Sequence, residues 1–182
     1  MNFQATPIEG VFEVQTDWYR DVRGTFGRIF CQREFSAHGL TTNLVQCNLS
    51  NNPQRGTLRG LHLQAGPHQE AKLVCCVAGS IFDVALDLRS NSPTYGRHYV
   101  AELRAGEGRM LYIPEGCAHG YQTLENNSSM MYYVSAFHEP AAERGVRWND
   151  PAINVRWPLA DEAIVSERDQ HLPLLADYQT HS

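Results

Sequence analysis

The clearest pattern along the chain is LVCCVAGSIFDVALDLR, residues 73–89, where two β-rich runs flank Ala78-Gly79-Ser80. A glycine-containing turn between such runs predicts a hairpin. With Val77 opposite Ser80, period two places Lys72, Val74, Cys76, Ile81, Asp83, Ala85 and Asp87 on one face. Leu73, Cys75, Val77, Phe82, Val84, Leu86 and Leu88 fall on the other. The second face is wholly apolar and reads as core. The first is mixed, with Lys72 and Asp83 as diagonal neighbours, which suits the inside of a barrel that holds a polar ligand.

The same reading predicts strands at 10–16, 24–31, 44–51, 57–64, 98–103, 109–114 and 130–137. Helical periodicity is scarce: REFSAHGL (33–40) makes one or two turns, and AIVSERDQHLPLL (163–175) one short helix. Turn signals recur at Asn51-Asn52-Pro53, Ala65-Gly66-Pro67, Asn91-Ser92-Pro93 and Asn126-Asn127-Ser128. Strands this short and this regularly spaced predict an all-β antiparallel sandwich or barrel. The 182 residues predict a single domain, with a short helical C-terminal segment at about 160–182 whose polar end, after Ala176, frays.

Composition narrows the function. A net charge of −5 without a basic run points away from nucleic acid. No apolar stretch is long enough to cross a bilayer as a helix, and MNFQATPIEGVFEV lacks the pattern of a signal peptide. The five cysteines, Cys31, Cys47, Cys75, Cys76 and Cys117, contain no Cys-x-x-Cys pair, so reduced thiols and a cytoplasmic location are expected. Fourteen of the fifteen Lys and Arg residues are Arg, and Lys72 is the sole lysine. A position that keeps Lys against this bias suggests a need for a compact ammonium.

The candidate chemistry centres on RGLHLQAGPHQEAKLV, residues 59–74. Alternation places His62 with Gly60 and Gln64 on one strand face, and Leu61, Leu63 and Arg59 on the other. A histidine between leucines is equally a hydrogen-bonded core residue, and here it is also a candidate metal ligand. The metal reading is thin: Gln64 stands where a second ligand belongs, His68 and Glu70 fall beyond the Gly66-Pro67 turn on a loop, and His119 supplies only one more. Proton abstraction beside a ketone asks for a base near neutral pKa, a cation for the enolate and an acid. His62, Lys72 and one of Tyr132 and Tyr133 offer these.

At these residues the chain resembles the dTDP-4-dehydrorhamnose 3,5-epimerases and related nucleotide-sugar epimerases. The resemblance rests on DVRGTF (21–26), QCNLS (46–50), LRGLHLQ (58–64), KLV (72–74), DVALDLRSNSPTYG (83–96), IPEGCAHGY (113–121), RGVRWNDP (144–151) and SERD (166–169), in order over nearly the whole chain. It implies a cupin-type double-stranded jelly roll, a homodimer exchanging its N-terminal strand (about 1–31), and neither metal nor cofactor. It implies His62 as base oriented by Asp169, Tyr132 as acid and Lys72 as enolate stabiliser. It also implies substrate contacts from Arg23, Gln46, Asn48, Arg59, His119, Glu143 and Arg168, with Asp83 orienting Lys72 or satisfying its charge.

Two positions depart from the family pattern. Arg28 stands where a Glu is usual, four residues after the glycine of DVRG, and His138 where a Tyr usually stacks on the base, six residues after Tyr132. Arg168 replaces a usual Lys. Both Arg28 and His138 are therefore candidates for setting substrate choice. The alternatives are an epimerase working at one carbon, a metal-dependent cupin oxygenase, and a catalytically silent sugar-nucleotide binder.

Overall fold

A computed structural model describes residues 1–178. The strands in chain order are β1 (Asn2–Ala5), β2 (Phe12–Gln15), β3 (Tyr19–Asp21), β4 (Gly24–Phe26), β5 (Gln46–Asn52), β6 (Thr57–Gln64) and β7 (Lys72–Ala78). They continue with β8 (Ser80–Asp87), β9 (His98–Arg104), β10 (Arg109–Ile113), β11 (Cys117–Thr123), β12 (Ser128–Val134), β13 (Glu143–Gly145) and β14 (Ile164–Val165). Two helices, α1 (Gln32–Ala37) and α2 (Glu167–Gln170), are the only α-helices among the described residues. One sheet runs β1-β2-β10-β7-β12-β5 and the other β13-β6-β11-β8-β9, with β14 pairing parallel to β6. The two sheets close on each other as a cupin-like jelly roll.

The predicted hairpin at 73–89 does not form. β7 pairs with β10 and β12, whereas β8 pairs with β9 and β11. Gly79, at φ +66°, turns the chain from one sheet into the other. The division into faces holds except at Val77, which was expected in the core and is exposed near the end of β7, because the inner faces of β7 and β8 look at each other across the barrel. Val74, Cys76, Ile81 and Ala85 pack inside with Leu111, Ile113 and Tyr121. The apolar face divides into two outer layers. Leu73 and Cys75 pack under Phe35 and Leu40, and Val84, Leu86 and Leu88 pack under Val146, Ile153 and Trp157.

These outer layers explain why such short helices form at all. A six-residue α1 has no stability alone. It is held by Phe35, which is fully buried and meets Phe3, Phe30 and Tyr112 at ring-centroid distances of 5.1, 5.0 and 6.1 Å. The helix predicted at 163–175 shrinks to four residues. Ile164–Val165 is taken as strand beside β6, Ser166 caps the helix through Asp169 N–H, and Pro173 follows soon after. The stretch 24–31 is a strand only at Gly24–Phe26. The expected fraying after Ala176 falls partly on residues 179–182, outside the described residues.

Candidate active site

A cavity of about 730 Å³ opens between the two sheets. One wall is β6 and β11, carrying Arg59, His62 and His119; the other is β5, β7 and β12, carrying Gln46, Asn48, Lys72 and Tyr132. Glu143, His138 and Arg168 stand at the rim, and Asp169 lies behind His62.

A bulge on β6 builds the first wall. His119 faces His62 in register and Tyr121 faces Arg59, so Gly60 and Leu61 together oppose Gly120. The extra residue breaks the alternation expected from sequence, which had put Arg59 and His62 on opposite faces. Leu58, Leu61 and Leu63 all pack outward as a result, and Arg59 and His62 both line the cavity. The crossing requires glycine on both strands. A Cβ on Gly60 would lie 2.5 Å from Gly120 Cα, and one on Gly120 would lie 2.7 Å from the Arg59 carbonyl oxygen.

His62 donates from Nε2 to Asp169 Oδ1 at 2.7 Å, and Asp169 Oδ2 accepts the Gly60 N–H at 3.1 Å. This leaves Nδ1 as the ring nitrogen free for chemistry. Burial pushes the Asp169 carboxyl up, but the bond from His62, its charge and the Gly60 N–H outweigh that and hold the carboxyl below its ordinary range. A carboxylate so fixed keeps the proton of the neutral imidazole on Nε2.

Lys72 and Tyr132 come from the opposite sheet. The Lys72 ammonium is buried, with Glu70 Oε1 2.7 Å away as its ion-pair partner, and one oxygen leaves donors of its three N–H groups to spare. Burial raises the Tyr132 phenol above its ordinary pKa, and the nearby Glu70 carboxylate raises it further. Arg59 donates from Nε to Asn52 Oδ1 at 3.1 Å, and Asn52 is itself buried and takes the Tyr121 hydroxyl at 3.3 Å.

Residues 5–177 match the family described as dTDP-4-dehydrorhamnose 3,5-epimerase. The chain belongs to that family. The dTDP-4-dehydrorhamnose 3,5-epimerase of Sinorhizobium fredii NGR234 is 40% identical over 177 residues, covering 97% of this chain and 91% of its own. The crystal structure of the enzyme of that name from Elizabethkingia anophelis superposes with a TM-score of 0.94 at 36% identity, covering 97% of each chain. A Legionella pneumophila dTDP-6-deoxy-D-glucose-3,5-epimerase in complex with dTDP-4-keto-L-rhamnose superposes with a TM-score of 0.92 at 33% identity, covering 98% of this chain and 94% of that one.

Within this epimerase, three expected placements differ. Asp83 is not beside the cavity. It is fully buried behind His119, whose Nε2 it holds at 2.7 Å, and it does not touch Lys72. The partner of Lys72 is Glu70, which sequence reasoning left on a loop; the loop 65–71 folds back so that Glu70 lines the cavity. Arg23 and Arg28 lie outside the cavity of their own chain. Arg23 pairs with Asp21 in the exposed β3–β4 hairpin, and Arg28 reaches Glu34 at 3.0 Å. An expected strand over 24–31 would have carried Arg28 inward; the strand ends at Phe26 instead.

Supporting residues were also hidden from the sequence. Gln64, read as a broken ligand position, is buried and ties three segments together. The two hydrogens on its Nε2 are shared among the His68 and Phe137 carbonyl oxygens and Glu70 Oε2, and its Oε1 accepts the Glu139 N–H at 2.6 Å. Gln46 Oε1 accepts the His138 N–H at 2.7 Å, which fixes the rim. Asn52, read as a turn residue, is the last residue of β5 and anchors Arg59. Among the described residues, no group of three or more His, Cys, Asp or Glu side chains is arranged to hold a metal.

Proposed function

We propose that this family member inverts the sugar of a nucleotide 4-keto-6-deoxysugar, dTDP-4-keto-6-deoxyglucose first among them, at carbons 3 and 5. The observation that carries the reading is the opposition of His62 on β6 to Tyr132 on β12, from facing sheets across one cavity. A carbon held between them meets a base on one side and an acid on the other, which is what inversion requires.

The 4-keto group acidifies carbons 3 and 5. His62 Nδ1 takes the proton from one of them, and the C–H electrons move into an enolate whose oxygen receives N–H donors from Lys72. The Tyr132 hydroxyl then gives its proton to the opposite face of the same carbon. With its pKa raised, the phenol is protonated at neutral pH and ready to donate. Arg59, whose guanidinium has an amide rather than a carboxylate for a partner, suits the diphosphate. Asn48 and His119 line the same space, and His138, Glu143 and Arg168 form the rim against which the base rests. These steps call for no redox cofactor.

We also propose a cytoplasmic homodimer. The β3–β4 hairpin projects with Tyr19, Val22 and Phe26 exposed, and carries Arg23 away from its own cavity. A second copy offers both a cover for that hairpin and a cavity for Arg23. Mixing Arg23→Ala chains with His62→Ala chains then restores activity that neither has alone, and sizing in solution gives twice the chain mass.

The main test incubates the protein with dTDP-4-keto-6-deoxyglucose in heavy water and maps deuterium by NMR. Exchange at carbons 3 and 5 is expected, and is abolished in His62→Asn. Exchange at carbon 3 or 5 alone makes the protein a single-carbon epimerase, and near-normal exchange in His62→Asn overturns the base assignment. No exchange into this or other nucleotide 4-keto sugars favours a silent binder, and stoichiometric iron, manganese or nickel in the active protein favours an oxygenase.

A further inference from the structure

The cavity holds a charge that the proton-transfer scheme does not use. Glu70 lies on the loop between β6 and β7, its side chain nearly buried, with one carboxylate oxygen 2.7 Å from the Lys72 ammonium. Its other oxygen accepts from Gln64 Nε2 at 3.3 Å. Gln64 is two residues beyond His62 on the same strand, so a single amide links the base strand to the counter-ion of the lysine.

An ammonium at this depth has few ways to stay charged and in place. Hydrogen bonds to protein acceptors would fix it, but they would consume the donors that a developing oxyanion needs. The Glu70 contact avoids that conflict: one carboxylate oxygen at 2.7 Å engages at most one of the three N–H donors of Lys72, and among the described residues no other side chain or backbone group takes the rest. Resting on the epimerase reading above, we propose that Glu70 is a positioning residue of the enolate site, which anchors the Lys72 ammonium at the cavity wall while leaving its remaining donors to the substrate's developing oxyanion.

The same carboxylate is close enough to Tyr132 to act on its phenol. Arg59 from β6, Tyr121 from β11 and Glu143 from β13 also act on that group, and Arg59 opposes the two carboxylates. Glu70 thus acts on both the enolate-stabilising cation and the acid, and contributes to catalysis only through them.

The test is a double-mutant cycle on wash-in of solvent deuterium with dTDP-4-keto-6-deoxyglucose, using wild type, Glu70→Gln, Lys72→Ala and the double variant. Glu70→Gln keeps the shape and the acceptor for Gln64, but turns the charge partner of Lys72 into an amide. A kcat lower by on the order of 10- to 100-fold is expected, with KM within about threefold, because only the positioning of a reacting group is lost. In the Lys72→Ala background the same change costs at most about threefold, since Glu70 then has no ammonium to position and only its charge effect on the Tyr132 phenol remains. Glu70→Asp, which keeps the charge, recovers part of the rate. A purely structural role predicts a lower melting temperature and a loss that repeats in the Lys72→Ala background, and either a repeated loss or an unchanged kcat in Glu70→Gln overturns the proposal. Failure of wild type to exchange overturns the epimerase reading and this inference with it; exchange by wild type with an unimpaired Glu70→Gln overturns this inference alone.

Discussion

Replacing Asp169 by asparagine tests the dyad with almost no change of shape. The carboxylate uses both oxygens as acceptors, one for His62 Nε2–H at 2.7 Å and one for the Gly60 N–H at 3.1 Å. An amide has only one acceptor atom. If its oxygen stays on Gly60, its NH2 faces Nε2, and the imidazole must carry its proton on Nδ1. The nitrogen that should act as the base is then blocked. If the amide turns over, the buried Gly60 N–H loses its acceptor, at about 1–3 kcal/mol. That active form also lacks an anion beside the imidazolium formed on proton abstraction, worth about 1.5–3 kcal/mol for a hydrogen bond to a charged group. Together these reach about 2.5–6 kcal/mol, or roughly 10²- to 10⁴-fold in rate. The readout is the initial rate of deuterium wash-in at saturating substrate, beside a thermal melt to show that the Ser166 cap and the fold are intact. A rate within about fivefold of wild type, from a folded variant, would refute the argument that Asp169 sets the proton position on His62.

Three further outcomes follow from the same physics. Burial pushes the Asp87 carboxyl up, but Arg89, Ser92 and Thr94 more than offset it and bring its pKa down to about 2. A depressed carboxylate contributes stability that is complete above about pH 4 and is lost as pH falls towards 2, here on the order of 2 kcal/mol. Urea melts of Asp87→Asn should therefore fall below wild type at pH 6, with the gap narrowing at pH 3. Gly60→Ala, at φ +125° and with its Cβ against Gly120, should lower the urea midpoint by the equivalent of about 3 kcal/mol or more; an unchanged midpoint would remove the close crossing as an explanation. Burial raises the Cys75 and Cys76 thiols to about 11 and Cys117 to about 12, so at pH 8 alkylation of the native chain should spare these three and label Cys47 and, more slowly, Cys31.

Much of the site was legible: residue type and position carried His62 and Lys72, and the family resemblance carried Asp169 and the choice of Tyr132 over Tyr133. His62, Lys72, Tyr132 and Asp169 fall around one cavity as expected. The inner and outer faces of 72–88 were legible too, because period two is the same whether two strands pair or oppose each other. The pairing itself was not, since a glycine turn looks alike in a hairpin and in a corner between sheets. Arg59 was assigned to the wrong face because a bulge is an interaction between two strands, and LRGLHLQ holds only one of them. The strand β11, which supplies the other half of that bulge, was missed for its weak β-formers Ala118 and Gly120. Glu70 was dismissed because loop and turn signals describe local chain direction and not where a loop folds back in space.

The position of Asp169 along the chain has a consequence for shortened chains. His62 belongs to the first half of the sequence, yet its hydrogen-bonding partner rides on a four-residue helix more than a hundred residues later, held over β6 by the parallel β14 strand. A chain shorter than 169 residues contains His62 and both strands of the bulge, β6 and β11, but not the carboxylate that receives Nε2–H. A chain truncated before Arg168 therefore lacks both the carboxylate that holds the histidine and the guanidinium at the cavity rim.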